Sequence, residues 1–368
     1  MRDPFPLPPI PALSKAVQPW ADKFGFAVLP LHVHEVVGFA LFYTFVQVVV
    51  SPVLSKRLFP RYYPAHDRAK KANWDSHVVS LVQSVLVNGV ALWVMAVDEE
   101  RKAMDWQQRI WGYTGACGFV QSMAAGYFIW DLIMTAVHLD VFGLGLLAHA
   151  LSALVVYSFG FRPFLHYYGS VFILYELSTP FLNIHWFFDK LNMTGTKPQL
   201  YNGIVLLFTF ASCRLVYGTI QSMFVYIDMY RATQSSPDAG YLAASHGNST
   251  MTDPNHNVMA FATDAEPIPI WLAALYVASN ITLNTLNWHW FFKMIAAVRK
   301  RFEPAKVPAA VKEKGDIRPT DLSETMPAYQ AANASGRDQK PLLETRKRRS
   351  TLEDLTPDSE ELRDGTIQ

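Results

Sequence analysis

Cysteine is scarce, with two in 368 residues, Cys117 and Cys213, each inside an apolar run. That excludes a disulfide framework and every cysteine-based zinc spacing, so both read as packing residues and no metal site is expected. Charge is scarce as well, although the whole-chain average conceals it. The net charge of +1 offers no basic field for nucleic acid. Residues 299–368 hold 14 of the 32 Lys and Arg and 13 of the 31 Asp and Glu, so the first 298 keep only 18 of each sign. That is about 12% charged, half the ~25% usual in soluble domains. Local signatures of soluble enzymes are missing: no GxSxG, HExxH, Walker A loop or CxxC occurs. A hydrolase, metalloprotease or ATPase has no support, and no cofactor is expected. The first thirty residues lack an apolar h-region and a small-residue cleavage site, so the first membrane helix is expected to serve as the address.

What is present is apolar length. Hydrophobic residues make up 51% of the chain and aromatics 14%, and a spanning helix needs about 20 mainly apolar residues. Seven stretches qualify, near 33–54, 76–97, 115–138, 141–159, 164–187, 203–228 and 268–294. None alternates as a porin strand does. The expectation is an all-α polytopic membrane protein of about seven transmembrane helices, with a Pro-rich luminal arm over 1–32 and a disordered cytosolic tail over 299–368.

Orientation follows from the basic residues. Lys56, Arg57, Arg61, Arg68, Lys70 and Lys71 crowd the connection after the first span, which is therefore expected in the cytosol. Alternation then sends 229–267 to the lumen, where the sequon at Asn248 is chemically usable. The sequons at Asn192, Asn280 and Asn333 fall in a cytosolic connection, a span and the tail, and should stay unmodified. In the tail, the basic run 346–349 precedes Ser350 and Thr351, a patch suited to kinases, anionic lipid or protein partners.

Ionisable residues within spans are costly and face the bundle interior. Asp131 and His138, seven apart, share a helix face. His149, Glu176 and Arg214 sit near the middle of the next three spans. Four successive helices thus carry such a group, and Arg214 is expected to pair with Glu176 or Asp131. Pro180 should bend the fifth span, which Trp186-Phe187-Phe188-Asp189-Lys190 closes with an aromatic anchor. His289, between two tryptophans, reads as interfacial.

Four segments carry a family resemblance: GYFIWDL at 126–132, LLAHALSAL at 146–154, YELSTPFLNIHWFFDKL at 175–191 and YNGIVLLFTFASCRL at 201–215, with NWDSHVVSLVQSVLV at 73–87 as a weaker opening segment. Together they resemble the TLC domain shared by TRAM, Lag and CLN membrane proteins, over about 70–295, and its TLC-domain-containing branch more than the ceramide synthases. The resemblance implies a ring of helices around a cavity, membranes of the endoplasmic reticulum, and work on lipids. In ceramide synthases it also implies a histidine pair and an aspartate-rich segment that join an acyl group from acyl-CoA to a sphingoid amine. Here Ala148-His149 stands at the histidine pair and Glu176-Leu177-Ser178-Thr179-Pro180 at the aspartates.

The expected function is therefore lipid homeostasis, by lipid binding, sensing or transport, through a chamber lined by Asp131, His138, His149, Glu176, Ser178, Thr179, Asn183 and Arg214. The alternative is an N-acyltransferase using acyl-CoA, with His149 as general base oriented by Asp131 or Glu176. A third reading, an early-secretory chaperone or cargo adaptor acting through the tail, separates from both on deletion of 304–368.

Overall fold

A computed structural model describes residues 1–162, 164–238, 257–262 and 267–302. The Asn248 sequon and the tail beyond Phe302 lie outside the described residues. The chain is an all-α membrane protein, and no strand occurs among the described residues. Met1–Met294 fall within one compact unit.

The helices are α1 Pro11–Phe24, α2 Leu29–Phe45, α3 Ser51–Leu58, α4 Arg68–Val97, α5 Glu99–Lys102, α6 Trp106–Trp111, α7 Gly115–Val137, α8 Leu139–Phe159, α9 His166–Phe172, α10 Thr179–Lys190, α11 Lys197–Phe210, α12 Gly218–Gln234 and α13 Ile270–Phe302. Local chemistry sets their starts. Pro stands in the first turn of α1, α2 and α11, where its missing N–H costs nothing, whereas Pro52 of α3 follows a π-helical turn, Val46–Val50, inside the helical stretch Leu29–Leu58. Asp67 and Thr114 cap α4 and α7 by accepting from backbone N–H groups, and Asp105 with Gln108 forms a capping box on α6.

Five helical stretches are long and apolar enough to cross a membrane: Leu29–Leu58, Arg68–Val97, Gly115–Val137, Leu139–Phe159 and Lys197–Gln234. They match five of the seven expected spans. The other two are helical at the expected places but differ in kind. The fifth is broken into α9, a 3₁₀ segment Ile173–Ser178 and α10. Pro180 accordingly lies just after the 3₁₀ segment, in the first turn of α10. The seventh, α13, has 33 residues but carries Asn280, Asn284 and Asn287 among its apolar ones. Between the third and fourth, α8 contains a sharp break at Gly143 (φ 74°, ψ 171°), a backbone region that only glycine enters readily.

Connections between the helices gather into two groups. In one, Tyr113 N–H donates to Val258 O (2.7 Å), Leu165 N–H to Ile110 O (2.8 Å), and Gln107 to Asp238 (2.7 Å). In the other, Phe59, Tyr63, Trp74, Trp186, Phe187 and Leu191 form one cluster. Trp186 is buried there, stacked 4.0 Å from His77, so it packs the bundle rather than anchoring an interface. The core lies among α2, α4, α7 and α8, around Tyr43, Val87, Met123, Tyr127 and Tyr157. Outward faces stay apolar: Leu41, Val48, Val85, Phe208, Val216 and Ile281 are exposed, as lipid-facing positions would be. Both cysteines are free and buried. His289 is exposed, in keeping with the interfacial reading.

Candidate functional site: a polar cluster in an apolar chamber

Arg214 organises the interior. It sits in a π-helical turn, Ala211–Tyr217, between α11 and α12. The wider turn interrupts the regular ladder, a feature common at functional sites. The Arg214 guanidinium donates to Ser178 Oγ (3.1 Å), Thr179 Oγ1 (2.9 Å) and Asn287 Oδ1 (3.1 Å). It also lies 3.5 Å from Glu176 Oε1 and packs over the Phe210 ring. Arg214 is 6% exposed and Glu176 9%, so each charge depends on the other and on the hydroxyl and amide groups around them. Of the two carboxylates offered by the sequence, Arg214 pairs with Glu176.

These groups border a narrow cavity of about 40 Å³. Glu176, His149, Arg214, Asn280 and Asn287 contribute polar groups, while Phe128, Val156, Phe172 and Leu283 contribute apolar wall. His149 on α8 meets Trp290 edge to face, ring centres 5.5 Å apart, and its Nδ1 is buried without a hydrogen-bond partner among the described residues. A buried imidazole nitrogen without a partner is a position a ligand donor or acceptor would satisfy.

The other expected chamber residues are distributed differently. Asp131 is near enough to Glu176 for their charges to interact, but no hydrogen bond or ion pair joins it to His149 or Glu176, and it lies outside the cavity lining. Asn183 faces α4 instead: it accepts from His77 Nδ1 (2.7 Å) and donates to Ser80 Oγ (3.0 Å) and Thr179 O (3.0 Å). Its role is to fasten α10 to α4 just below the Arg214 cluster. His138 caps the end of α7 and borders a second cavity with Gln47, His66, Arg68, Lys71 and Asp75. Ser178 and Thr179 join the site as Arg214 acceptors.

Sequence reasoning missed the contribution of α13. Asn280, Asn284 and Asn287, at i, i+4 and i+7, lie on one helix face. Tyr226 donates to Asn280 Oδ1 (2.6 Å), Asn284 donates to Ser222 Oγ (3.3 Å), and Asn287 receives Arg214. Helical spacing of three amides within a span is a signal that could have found them.

The TLC domain family model matches residues 73–296, which includes every group bordering this cavity. The chain is 36% identical over 291 residues to an uncharacterised TLC domain-containing protein of Schizosaccharomyces pombe, covering 79% of this chain and 87% of that protein. It is 28% identical over 281 residues to topoisomerase I damage affected protein 4 of Saccharomyces cerevisiae, covering 74% and 87%. To TLC domain-containing protein 4-B of Danio rerio it is 30% identical over 182 residues, covering 49% and 66%.

Proposed function

We propose, from the premise that this chain belongs to the TLC domain family, that it acts in lipid homeostasis by binding a membrane lipid in the chamber at Arg214. The observation that carries this reading is the make-up of that cavity: a buried ion pair and a partnerless His149 nitrogen at one side, aromatic and aliphatic walls at the other. A molecule with a polar head and an apolar chain would satisfy both sides at once, the walls parting to admit it. Glu176 and Arg214 would fix the head, and His149 would donate to or accept from it. We assign the protein to the endoplasmic reticulum membrane. The basic connection after the first span and the tail then face the cytosol, and Asn248 faces the lumen with its glycan.

The test is the lipid that accompanies the purified protein. Glu176→Gln keeps the shape and hydrogen-bonding capacity of the side chain while removing its charge. It is expected to change the copurifying lipid classes at least several-fold in folded protein. An unchanged lipid profile in a variant that elutes as wild type does would overturn the reading.

The second reading, acyl transfer, has one observation in its favour, which is that His149 and Glu176 border the same cavity. Against it, no carboxylate holds the His149 ring by a hydrogen bond among the described residues, so the orientation a general base needs is missing. Product formed from long-chain acyl-CoA and a sphingoid base by wild type but not by His149→Ala would favour it. No product, beside an active ceramide synthase, would remove it.

A further inference from the structure

A second convergence of polar groups lies before residue 73, outside the family match. The first ten residues do not hang free. Phe5 packs against His34, Phe39 and Phe119, and its N–H donates to Asp3 Oδ1 (2.8 Å), which leaves Oδ2 facing inward. There it meets two side chains of α2. His32 Nδ1 is 3.5 Å from Asp3 Oδ2 and 3.0 Å from each oxygen of Glu35. One donor atom from each of Asp3, His32 and Glu35 lies within 4.8 Å of the others, and His32 and Glu35 are fully buried.

We infer that Asp3, His32 and Glu35 form a binding site for a divalent transition-metal ion, with Zn²⁺ the best match. Zn²⁺ bonds of about 2.0–2.2 Å to nitrogen and carboxylate oxygen put tetrahedral donors about 3.3–3.5 Å apart. The measured separations from His32 Nδ1 bracket that spacing. Two carboxylates and a neutral imidazole carry a charge that one divalent cation cancels, with His32 and Glu35 buried and Asp3 open to solvent on one side.

The surroundings fit a ligating histidine. The far nitrogen, Nε2, is 2.7 Å from the Tyr113 hydroxyl, which can accept from its N–H and so leave the Nδ1 lone pair for the ion. Gly118 of α7 makes room for the ring, since a methyl group there would overlap His32 Nε2. A further imidazole stands beside the cluster: His34 is 6% exposed, and its Nε2 donates to Leu7 O (3.1 Å) and lies 3.8 Å from Glu35 Oε1. Three protein ligands leave a fourth position for water, which can enter beside Asp3. Spacing along the sequence gave no hint of the site because one ligand comes from residue 3 and the other two from a helix that begins at residue 29.

The test is elemental analysis of the full chain, purified in detergent without a polyhistidine tag or chelator. Wild type is expected to carry about one transition-metal ion per chain, and His32→Ala and Glu35→Gln to carry almost none. Folding is controlled separately: wild type stripped with a chelator should gain thermal stability when Zn²⁺ alone is returned, and stripped His32→Ala should not. Metal-free wild type with no response to Zn²⁺, Mn²⁺ or Fe²⁺ would overturn the inference and leave a cluster held by a shared proton. Metal retained by both variants would overturn it too, since the ion would then sit elsewhere.

Discussion

Arg214→Ala is expected to destabilise the folded chain by about 3–5 kcal/mol, the usual result of removing one partner of a buried ion pair. The cause is what remains. Glu176 would stay 9% exposed with no cation beside it, and Ser178, Thr179 and Asn287 would each lose a donor. Thermal unfolding in detergent or nanodiscs should show a fall in melting temperature on the order of 10 °C. The double replacement Glu176→Gln with Arg214→Met should recover most of the loss, because neither product is a charge that needs a partner. A single variant that melts with wild type would mean that the guanidinium is hydrated in the membrane.

Asp228→Ala is expected to cost about 2–3 kcal/mol, from lost hydrogen bonds to a charged acceptor. Asp228 is 2% exposed on α12. It accepts from both arms of the Arg109 fork, at 2.8 and 3.2 Å, and from the Tyr168 hydroxyl at 2.6 Å, with Arg231 3.9 Å away. These bonds tie α6 and α9 to α12 at the end where Tyr113 meets Val258. The effect is smaller than at Arg214 because the Arg109 side chain is 27% exposed and regains water when released. Melting should fall, and the connection around α5 and α6 should become more susceptible to protease. Glu99→Ala, which breaks the exposed contact with Lys102 at 2.8 Å, should leave both readings unchanged. Equal protease sensitivity in the two variants would contradict a fastening role for Asp228.

Much of the fold was legible because lipid imposes a coarse requirement. Backbone polar groups must be satisfied within each span, so apolar length alone locates helices. The same requirement made the chamber partly legible. His149, Glu176 and Arg214 stood out as ionisable groups where lipid should be, and they do border one cavity. Asp131 and His138, seven apart, are expected on one helix face, yet His138 lies one residue beyond the end of α7 with non-helical dihedrals. Its ring borders a different cavity. Periodicity fixes the angle of a side chain about its own helix and carries no information on which neighbour that face meets.

Composition and pattern by themselves determined that this is an all-α membrane protein of the TLC domain family, with few charges in its spans. Those properties depend on each segment's solvent preference, which acts locally. Only the tertiary structure decided that Arg214 chooses Glu176 over Asp131, that Asn183 serves α4 instead of the cavity, and that α13 supplies Asn287. Nor could any local rule bring Asp3 to His32 and Glu35, since the arm reaches them by seating Phe5 against Phe39 and Phe119. Choices of this kind rest on packing between elements far apart in the chain, where a shift of a few ångströms separates a hydrogen bond from none.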